Sequence, residues 1–564
     1  MNLSKKYIRE LTQIKNQFDP TSTEKKEHLL ELLIKAKSIT DSDLIKLHET
    51  LLFLKAHPSH KQFLNSVSKL LKKTNKNIFQ SIQRKKTEGP FEQTGVYGTY
   101  VIATFSYTLV VWLSKEYPKH IYFDSFGATE DRINSVISSL LPLSLKEHFS
   151  DGKTENVISW MEETAGKDRR NQLQLLLQIF SLADLSIRTA SQLMEQLELF
   201  IKIDLAKLPS RSTITGLKRA PFYHKEELLK KFNSQEVIQT PLPHPTPLLI
   251  QDKKLLIESI RFQLISLYRE TDPGTNTDFN DITLYRLERG LDVVLLGMDS
   301  TNRLPIDTYI GFFAFKNQIP YAYGGTWLLG STAKIGLNIF PSYRGGESTW
   351  FFAQLMRVYY QEFNPDYFIA EPYQIGRGNP EGITSGAFWF YYKLGFRSLS
   401  KSHRLLASKE FDKLRLEKIK KTPKKTLEQL VEDEMGLAIN ENIVVSKTKF
   451  DTLQLSASIT HFIKSKFKGS LDKAIQQSLS SLKEELNIKD DEYFHSLTHG
   501  IENMALYLFA AGGIKLWSKN EKRLLLELIE EKINGTDSNY AKLLRGHHSL
   551  IKSLYSLAKK WTFH

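Results

Sequence analysis

Apolar residues recur at two different spacings along this chain, and the change of spacing divides it into regions. In residues 1–208, leucine and isoleucine return every three or four positions among lysine and glutamate, which predicts amphipathic helices. The leucine-rich stretch 171–205 is the clearest case. The same spacing returns from residue 411 to the end. Both flanking regions are therefore expected to be all-helical, the first with a break near residues 72–96.

The segment between these helical regions has the composition of β-strands. Runs of β-branched and aromatic residues, separated by Asn, Asp, Gly and Pro, predict five strands. They are Ile282–Leu287, Leu291–Met298, Ile306–Phe315, Ile319–Trp327 and Ala333–Phe340. A helix at about 347–363, a strand at Tyr367–Ala370 and a helix at about 384–394 follow. This order predicts an α/β domain.

A proline-rich segment indicates where one domain is expected to end and the next to begin. Residues 209–253 include the run TPLPHPTPLLI, which is typical of a linker or an extended arm. The α/β domain is expected over residues 254–410, between helical regions over residues 1–208 and 411–564.

The composition narrows the classes of function. The chain has 564 residues, 41% of them hydrophobic, including 33 Phe, so it can bury large cores and is not a disordered chain. It contains no cysteine. This excludes disulfides, thiolate metal sites and a cysteine nucleophile, and it fits a reducing compartment. Because the N-terminus lacks a signal-peptide pattern, a cytoplasmic location is expected.

The charge balance is basic. Lys and Arg number 77 against 63 Asp and Glu, a formal charge of +14, and much of the surplus lies in the first 100 residues. A basic surface favours anionic partners such as nucleic acid, although no arginine-rich cluster with interleaved aromatic residues is present. The apolar run Val96–Leu113 contains several Tyr and Thr residues and predicts a buried helix or strand pair, so no membrane span is expected.

A glycine-bearing turn between a strand and a helix is the first sign of chemistry. The predicted strand AKIGLNIF is followed by PSYRGGES and then by a helix that begins near TWFF. Glycines let the backbone approach a ligand, and the free N–H groups of a first helical turn attract an anion such as phosphate. Arg344 adds a positive charge to this turn.

A second motif follows some forty positions after the turn. Ala387–Phe396 reads AFWFYYKLGF and fits the pattern A-x-x-x-Y-x-K-L-G-F, while Pro341–Gly345 reads PSYRG and fits P-x-Y-R-G. Together these segments resemble the GNAT superfamily of N-acetyltransferases, over roughly residues 250–405. The resemblance implies a mixed, mostly antiparallel sheet with helices on both faces. It also implies acetyl-CoA as the acyl donor and no metal.

The resemblance further implies roles for individual residues. The backbone of Leu337, Asn338 and Ile339 would hydrogen-bond the pantetheine arm of acetyl-CoA. Backbone amides of the turn would cradle the pyrophosphate, and Tyr391 would protonate the leaving thiolate. The turn residues assigned to acetyl-CoA are Tyr343, Arg344, Gly345, Gly346 and Ser348.

The turn departs from the family's pyrophosphate pattern, which is Arg/Gln-x-x-Gly-x-Gly/Ala. Read from Arg344, the first glycine position holds Glu347; read from Tyr343, Gly346 and Ser348 fill both small-residue positions. Neither register is complete. A carboxylate at Glu347 would repel a pyrophosphate unless it turns away.

A general base is needed to take a proton from the attacking amine. Glu371, at the end of the strand YFIAEP, is the candidate, and it is expected where the two central strands splay apart. Glu381 and Glu347 are the alternatives. Glu371 is equally compatible with a simple ion pair to Arg377 or Arg344.

The sequence therefore predicts an acyl-CoA-dependent N-acyltransferase that moves an acetyl group from acetyl-CoA to an amine. An amine on a protein or peptide is favoured over a small molecule, because the helical flanks suggest a surface for macromolecular docking. The polar loop Gln374–Asn379 is expected either to bind the acceptor or only to connect two elements. Two alternatives stay open: a transferase that uses aminoacyl-tRNA on the same fold, and a catalytically degenerate domain that serves as a binding scaffold.

Overall fold

The chain forms two compact units. Unit 1 comprises Met1–Glu227, Leu248–Thr275 and Phe315–Pro320, and unit 2 comprises Leu228–Pro247, Asn276–Ala314 and Tyr321–His564. The structure is a computed structural model, and it describes residues 3–36, 38–85, 89–92, 94, 100–150, 156–205, 208, 219–344, 346–416, 421–439 and 452–560. The predicted domain limits at residues 208, 253 and 410 stay predictions.

Unit 1 begins with a helical array. Its helices before residue 200 are α1 (Leu3–Ile14), α2 (Pro20–Lys35), α3 (Asp41–Ala56), α4 (Lys61–Lys85), α5 (Tyr107–Glu116), α6 (Glu130–Leu140), α7 (Leu143–Ser150), α8 (Val157–Ala165), α9 (Arg169–Leu182) and α10 (Ile187–Gln196). Local sequence explains several starts. Asp19 accepts a hydrogen bond from the Ser22 amide at 2.8 Å and caps α2, and Thr40 caps α3 in the same way.

Unit 1 also contains a sheet, so the prediction of an all-helical N-terminal region is wrong. Its strands are β1 (Tyr100–Thr104), β2 (Ile121–Phe126) and β3 (Leu199–Asp204), in the antiparallel order β1-β3-β2. The stretch predicted as helix up to residue 205 thus ends in the central strand. Leu199, Ile201 and Ile203 are buried at period two, whereas their neighbours are half-buried. Six residues are too few for the two periodicities to be separated by sequence alone.

The apolar run predicted as a buried helix or strand pair contains one element of each kind. Residues 96–99 lie outside the described part, and the remainder contains β1 and most of α5. Leu109 and Leu113 of α5 join one core with Phe123 of β2 and Trp160 of α8. No helix in the described ranges combines the length and the apolar content that a membrane crossing requires.

In the described residues between the two sheets, the chain forms three α-helices. They are α11 (Ser234–Gln239), which belongs to unit 2, and α12 (Ile250–Ile265) and α13 (Asp272–Thr275), which belong to unit 1. Phe262 and Ile265 of α12 are part of the unit 1 core. The guanidinium of Arg261 donates to the carbonyls of Gly274 and Thr275, which ties α12 to α13.

Unit 2 is built on a large sheet. Its strands are β4 (Thr277–Arg286), β5 (Leu291–Met298), β6 (Thr308–Lys316), β7 (Ile319–Leu329), β8 (Thr332–Ile339), β9 (Tyr367–Ala370), β10 (Arg397–Ser398) and β11 (Met435–Ala438). The order across the eight-stranded sheet is β10-β11-β9-β8-β7-β6-β5-β4. The predicted α/β class with a large, mostly antiparallel sheet is thereby confirmed. All eight residues of β5 are buried, which explains why this strand is recognisable in the sequence as a mainly apolar run.

Helices complete unit 2. They are α14 (Ser348–Phe363), α15 (Pro372–Ile375), α16 (Pro380–Ser385), α17 (Ala387–Lys393), α18 (Lys401–Arg415), α19 (Lys424–Leu430), α20 (Thr452–Phe467), α21 (Leu471–Glu485), α22 (Asp491–Ala511), α23 (Lys519–Asn534), α24 (Asp537–Gly546) and α25 (His548–Lys560). The C-terminal region is not all-helical as predicted, because β11 inserts between β9 and β10. From α20 onward, the helices share an apolar core that includes Leu455, Leu528 and Leu554.

Candidate functional site

The main feature of the candidate site is a divergence between two neighbouring parallel strands. β8 and β9 pair in parallel only at Thr332–Tyr367, Ala333–Phe368 and Lys334–Ile369. β9 ends one residue later, while β8 continues to Ile339 and stays paired with β7 along its whole length. A gap therefore opens beside the second half of β8, and within the described ranges no strand fills it.

One backbone group of β8 is directed into this gap. The Leu337 amide donates to Oε1 of Gln374 at 3.3 Å, so a side chain from the segment after β9 occupies that donor. Leu337 and Ile339 are half-buried and Asn338 is exposed. The structure thus places the three residues assigned to the pantetheine arm along the open edge of β8. Sequence reasoning named the loop that begins at Gln374 but not its contact with β8.

The turn after β8 uses part of its own hydrogen-bonding capacity. The amide of Arg344 donates to the Pro341 carbonyl at 3.3 Å, and the amide of Gly346 donates to the Tyr343 carbonyl at 3.2 Å. Gly345 lies outside the described residues. Ser348 begins α14 and places its hydroxyl 3.4 Å from the Tyr343 carbonyl. Two of the amides predicted to cradle a pyrophosphate are therefore engaged within the turn.

Tyr343 points away from solvent. Its side chain is 1% exposed, and its ring centroid lies 4.8 Å from that of Tyr321 on β7. Burial raises the pKa of the Tyr343 hydroxyl well above its usual value. Its backbone amide donates to the Phe340 carbonyl at 3.0 Å and its carbonyl accepts from the Gly346 amide, so its backbone rather than its side chain contributes to the turn. The structure thus gives the Tyr343 side chain a packing role.

Glu347 turns into the protein rather than toward the turn's outer surface. Its carboxylate is 1% exposed and accepts hydrogen bonds from the Leu229 amide at 3.2 Å and from Arg289 Nε at 2.8 Å. Arg289 Nη2 lies 2.6 Å from the same oxygen. The repulsion expected between Glu347 and a bound pyrophosphate is thus reduced, since Arg289 balances the charge.

Arg344 faces solvent. Its Nε donates to the Ile339 carbonyl at 3.2 Å, and its guanidinium forms an ion pair with Glu381. About 40% of the Arg344 side chain and 60% of the Glu381 side chain are exposed. Glu381, an alternative candidate for the general base, is therefore held by a cation at the turn. An exposed ion pair of this kind contributes little to stability and exchanges easily with a ligand.

Tyr391 lies on α17 inside an aromatic cluster. It is 2% exposed, and its ring meets those of Phe352 on α14 and Phe396 edge-on, with centroids 5.3 Å apart in both cases. Burial raises the pKa of its hydroxyl. The hydroxyl has no hydrogen-bond partner among the described residues. A phenol in this environment stays protonated at neutral pH, and its raised pKa makes it a weaker acid than an exposed tyrosine.

Glu371 lies where β9 ends, beside the gap. Its carboxylate is 3.1 Å from Lys334 Nζ. The same Nζ lies 3.7 Å from the carboxylate of Glu434, the residue immediately before β11. The expected ion-pair alternatives for Glu371 were arginines, but Arg377 contacts Glu432 instead. The cation beside the candidate base is thus the last β8 residue that pairs with β9.

Lys334 and Glu434 are site residues that sequence reasoning missed. A lysine near the start of the mainly apolar strand AKIGLNIF is a recognisable signal, because charged residues inside central strands need a partner. Glu434 carries no such signal. It reaches Lys334 only because β11 returns to the sheet from a distant part of the chain.

Comparisons with known proteins add no identification, since no family model, no curated protein and no solved structure matches the chain.

Proposed function

We propose that unit 2 is a GNAT-type N-acyltransferase that moves an acetyl group from acetyl-CoA to an amine. The observation that carries the proposal is the divergence of β8 and β9 after Lys334 and Ile369, with the Leu337 amide directed into the gap. An open strand edge can hydrogen-bond an extended, amide-containing chain such as pantetheine in the way that it would bind a further strand.

The residues around the gap fit an acyl-CoA in part. The Leu337 amide would bind the pantetheine arm once Gln374 releases it. The exposed guanidinium of Arg344 and the Ser348 amide at the start of α14 would hold the pyrophosphate. The amides of Arg344 and Gly346 are bonded inside the turn, so they would contribute only if the turn rearranges.

Two side chains, Glu371 and Tyr391, would divide the proton transfers. Acetyl-CoA, when bound, would supply the acetyl thioester. Glu371 would accept the proton of the attacking amine, after it exchanges its contact with Lys334 for one with the amine. Tyr391 would donate its proton to the leaving sulfur, which requires that its side chain, 2% exposed among aromatic rings, become accessible from the gap. The acceptor amine, on a protein, a peptide or a small molecule, is not specified by these contacts.

Calorimetry with acetyl-CoA tests the proposal directly. We expect saturable binding to the full chain, and no heat of binding at millimolar acetyl-CoA would overturn both the donor assignment and the proposed function. Turnover is then followed as thiol released from acetyl-CoA with poly-L-lysine as acceptor. Tyr391→Phe should lower that rate at least about tenfold and leave binding unchanged.

Tyr392→Phe is the matched control, because Tyr392 is the neighbouring buried tyrosine of α17 and its ring instead contacts Arg397. It should retain the wild-type rate. Equal rates for Tyr391→Phe and the wild type would show that Tyr391 is not the acid.

A binding role without catalysis is the second candidate. It is favoured by Gln374, whose side chain already occupies the Leu337 amide, and by the internal bonds of the turn. Gln374→Ala tests whether this side chain competes with acetyl-CoA, and thiol release separates the two functions. If acetyl-CoA is the natural ligand, removing the competing side chain should strengthen its binding by a few-fold. If the protein binds acetyl-CoA but releases no thiol with poly-L-lysine, the scaffold role is favoured.

A further inference from the structure

We propose that unit 2 carries a second ligand site, which binds a phosphorylated small molecule at the β10–β11 edge of the sheet. A cavity of about 370 Å³ lies there, and its polar lining includes Arg397, Arg404, Ser234 and Gln235. A volume of this order falls in the range of small-molecule sites. No acidic side chain lines the cavity, so its two guanidiniums give it a net positive charge.

Arg397 is held in a fixed orientation. Its guanidinium carbon lies 4.0 Å from the ring centroid of Tyr392. Its Nη1 donates to the carbonyls of Tyr392 and Phe396, both at 2.8 Å. These contacts use one end of the planar group, and the N–H groups on Nε and Nη2 remain. A pre-oriented guanidinium loses little conformational entropy when it binds an anion.

Arg404, in the first turn of α18, is held in the same manner. Its Nη1 donates to the carbonyls of Ser398 at 3.1 Å and Leu399 at 3.0 Å. In the described part of the chain, neither Arg404 nor Arg397 has a carboxylate within ion-pair distance. Both cations are therefore anchored by neutral carbonyls and keep their full charge.

The chemistry of the two guanidiniums favours a phosphate over a carboxylate. Two forks, each with N–H groups left on Nε and Nη2, present more donors than the two oxygens of one carboxylate accept. A terminal phosphate has three oxygens in different directions and matches two arginines that approach from separate segments. Arg397 begins β10 and Arg404 lies on α18, so the two guanidiniums come from different elements.

The remaining walls suit the organic part of such a ligand. Leu394, Leu399 and Leu437 provide apolar surface. Gly395 has a φ of +102°, and a Cβ there would lie 3.1 Å from Leu437 Cδ1, so only glycine leaves this wall undisturbed. Gln235 of α11 donates to the Ala438 carbonyl at 3.1 Å and closes the cavity on one side. The cavity is thus a built feature, joined by hydrogen bonds between distant segments.

This site is separate from the proposed acyl-donor site. None of its lining residues belongs to β8, to the turn after β8 or to α14. The proposal therefore does not rest on the acyltransferase assignment, and either one can fail while the other holds.

Binding of phenyl phosphate to the full chain at constant ionic strength tests the proposal, with inorganic phosphate and benzoate as comparison probes. We expect saturable calorimetric binding of phenyl phosphate that is tighter than that of either comparison probe. R397Q and R404Q should each weaken it about tenfold or more, as expected for the loss of a charge-assisted contact. R397K, which keeps the charge but lacks the planar fork, should weaken it by less.

R415Q is the matched control. Arg415 is on the same helix as Arg404, is 69% exposed and lies 3.6 Å from Asp412. It should bind phenyl phosphate like the wild type, and far-UV circular dichroism would verify that every variant is folded. No binding at millimolar phenyl phosphate would overturn the proposal, as would equal affinity in the wild type, R397Q and R404Q. Tighter binding of benzoate would overturn the choice of phosphate.

Discussion

Two isolated groups in unit 1 and a cluster in unit 2 show opposite ways of burying charged and polar side chains. In unit 1, Lys26 and His48 are each 1% exposed, and among the described residues neither has an ion-pair partner. Asp19 and Glu27 act on Lys26 only from beyond contact distance. Lys26 Nζ donates to the Gln17 carbonyl at 2.6 Å, and it lies 4.6 Å from the centroid of the Phe18 ring. Both ring nitrogens of His48 are buried without a hydrogen-bond partner in the described structure.

In unit 2, buried charges form a network instead. Arg303 donates to the carbonyls of Lys532 at 2.8 Å and Gly535 at 2.6 Å, at the end of α23, and pairs with Asp278 at 3.2 Å. Lys532 lies 3.3 Å from Asp537 at the start of α24. The network therefore joins the loop before β6 to the α23–α24 turn.

The difference shows when a buried charge helps a fold. A buried charge that has partners in several elements stabilises the contacts between those elements. Removing one residue of such a network leaves the other charges buried and uncompensated. A buried charge or imidazole with few partners mainly costs desolvation energy. Removing a networked charge and removing an isolated one should therefore change the unfolding free energy by different amounts. For Lys532 and Lys26, the two changes should have opposite signs.

The largest effect is expected for Arg303→Leu. The variant removes the guanidinium that donates to carbonyls at the end of α23, and it leaves Asp278 without its cation. Unit 2 should therefore lose about 3–5 kcal/mol of unfolding free energy. Hydrogen exchange measured by mass spectrometry should show the loss in peptides of α23 and α24. Arg523→Gln, which removes an exposed i,i+4 pair with Glu527, should stay within about 0.5 kcal/mol of the wild type.

Lys532→Met should cost unit 2 about 3–4 kcal/mol, because it leaves the fully buried Asp537 carboxylate without its closest cation. It also removes the ammonium that lies 3.9 Å from the ring of Tyr540. Urea unfolding followed by circular dichroism, with hydrogen exchange to assign the transition, measures the change. A loss below about 1 kcal/mol would contradict the network interpretation.

His48 should make unit 1 sensitive to acid. Burial lowers the pKa of its imidazole to about 4, whereas an unfolded histidine titrates near about 6.5. Between these values the unfolded state holds more protons, so stability falls as the pH drops, by roughly 3 kcal/mol in all. His48→Leu should remove that part of the acid dependence in unfolding measured from pH 7 to pH 4. His28→Leu, at an exposed position of α2, should leave the dependence unchanged.

The smallest effect is expected for Lys26→Met, the counterpart of Lys532→Met. Burial lowers the pKa of Lys26 to about 8, while an unfolded lysine titrates near about 10.4. Replacing it should therefore stabilise unit 1 by about 1 kcal/mol at pH 7. In the wild type, stability should rise with pH between about 8 and 10.4, because the unfolded state then holds the extra proton. Lys26→Met should abolish that rise, and a marked destabilisation would place Lys26 in the same class as Lys532.

Sequence patterns predicted unit 2 better than unit 1. The predicted strands over residues 282–340 correspond to β4–β8, because long β-branched runs bounded by turn residues have few alternative structures. The strands of unit 1 were missed, since β3 is short and follows directly after α10. At the candidate site, the position of Glu371 at the end of β9 was predictable, but its pairing with Lys334 was not.

Local order along the chain was enough to determine which segments of unit 2 form strands, where α14 begins and where a glycine-bearing turn lies, because these depend on neighbours in sequence. Only the tertiary structure decided that β8 and β9 separate after three residue pairs, that Glu347 turns inward to Arg289, and that Arg397 and Arg404 face one cavity. Each of these depends on contacts between segments far apart in the chain, and periodicity holds no information about such contacts.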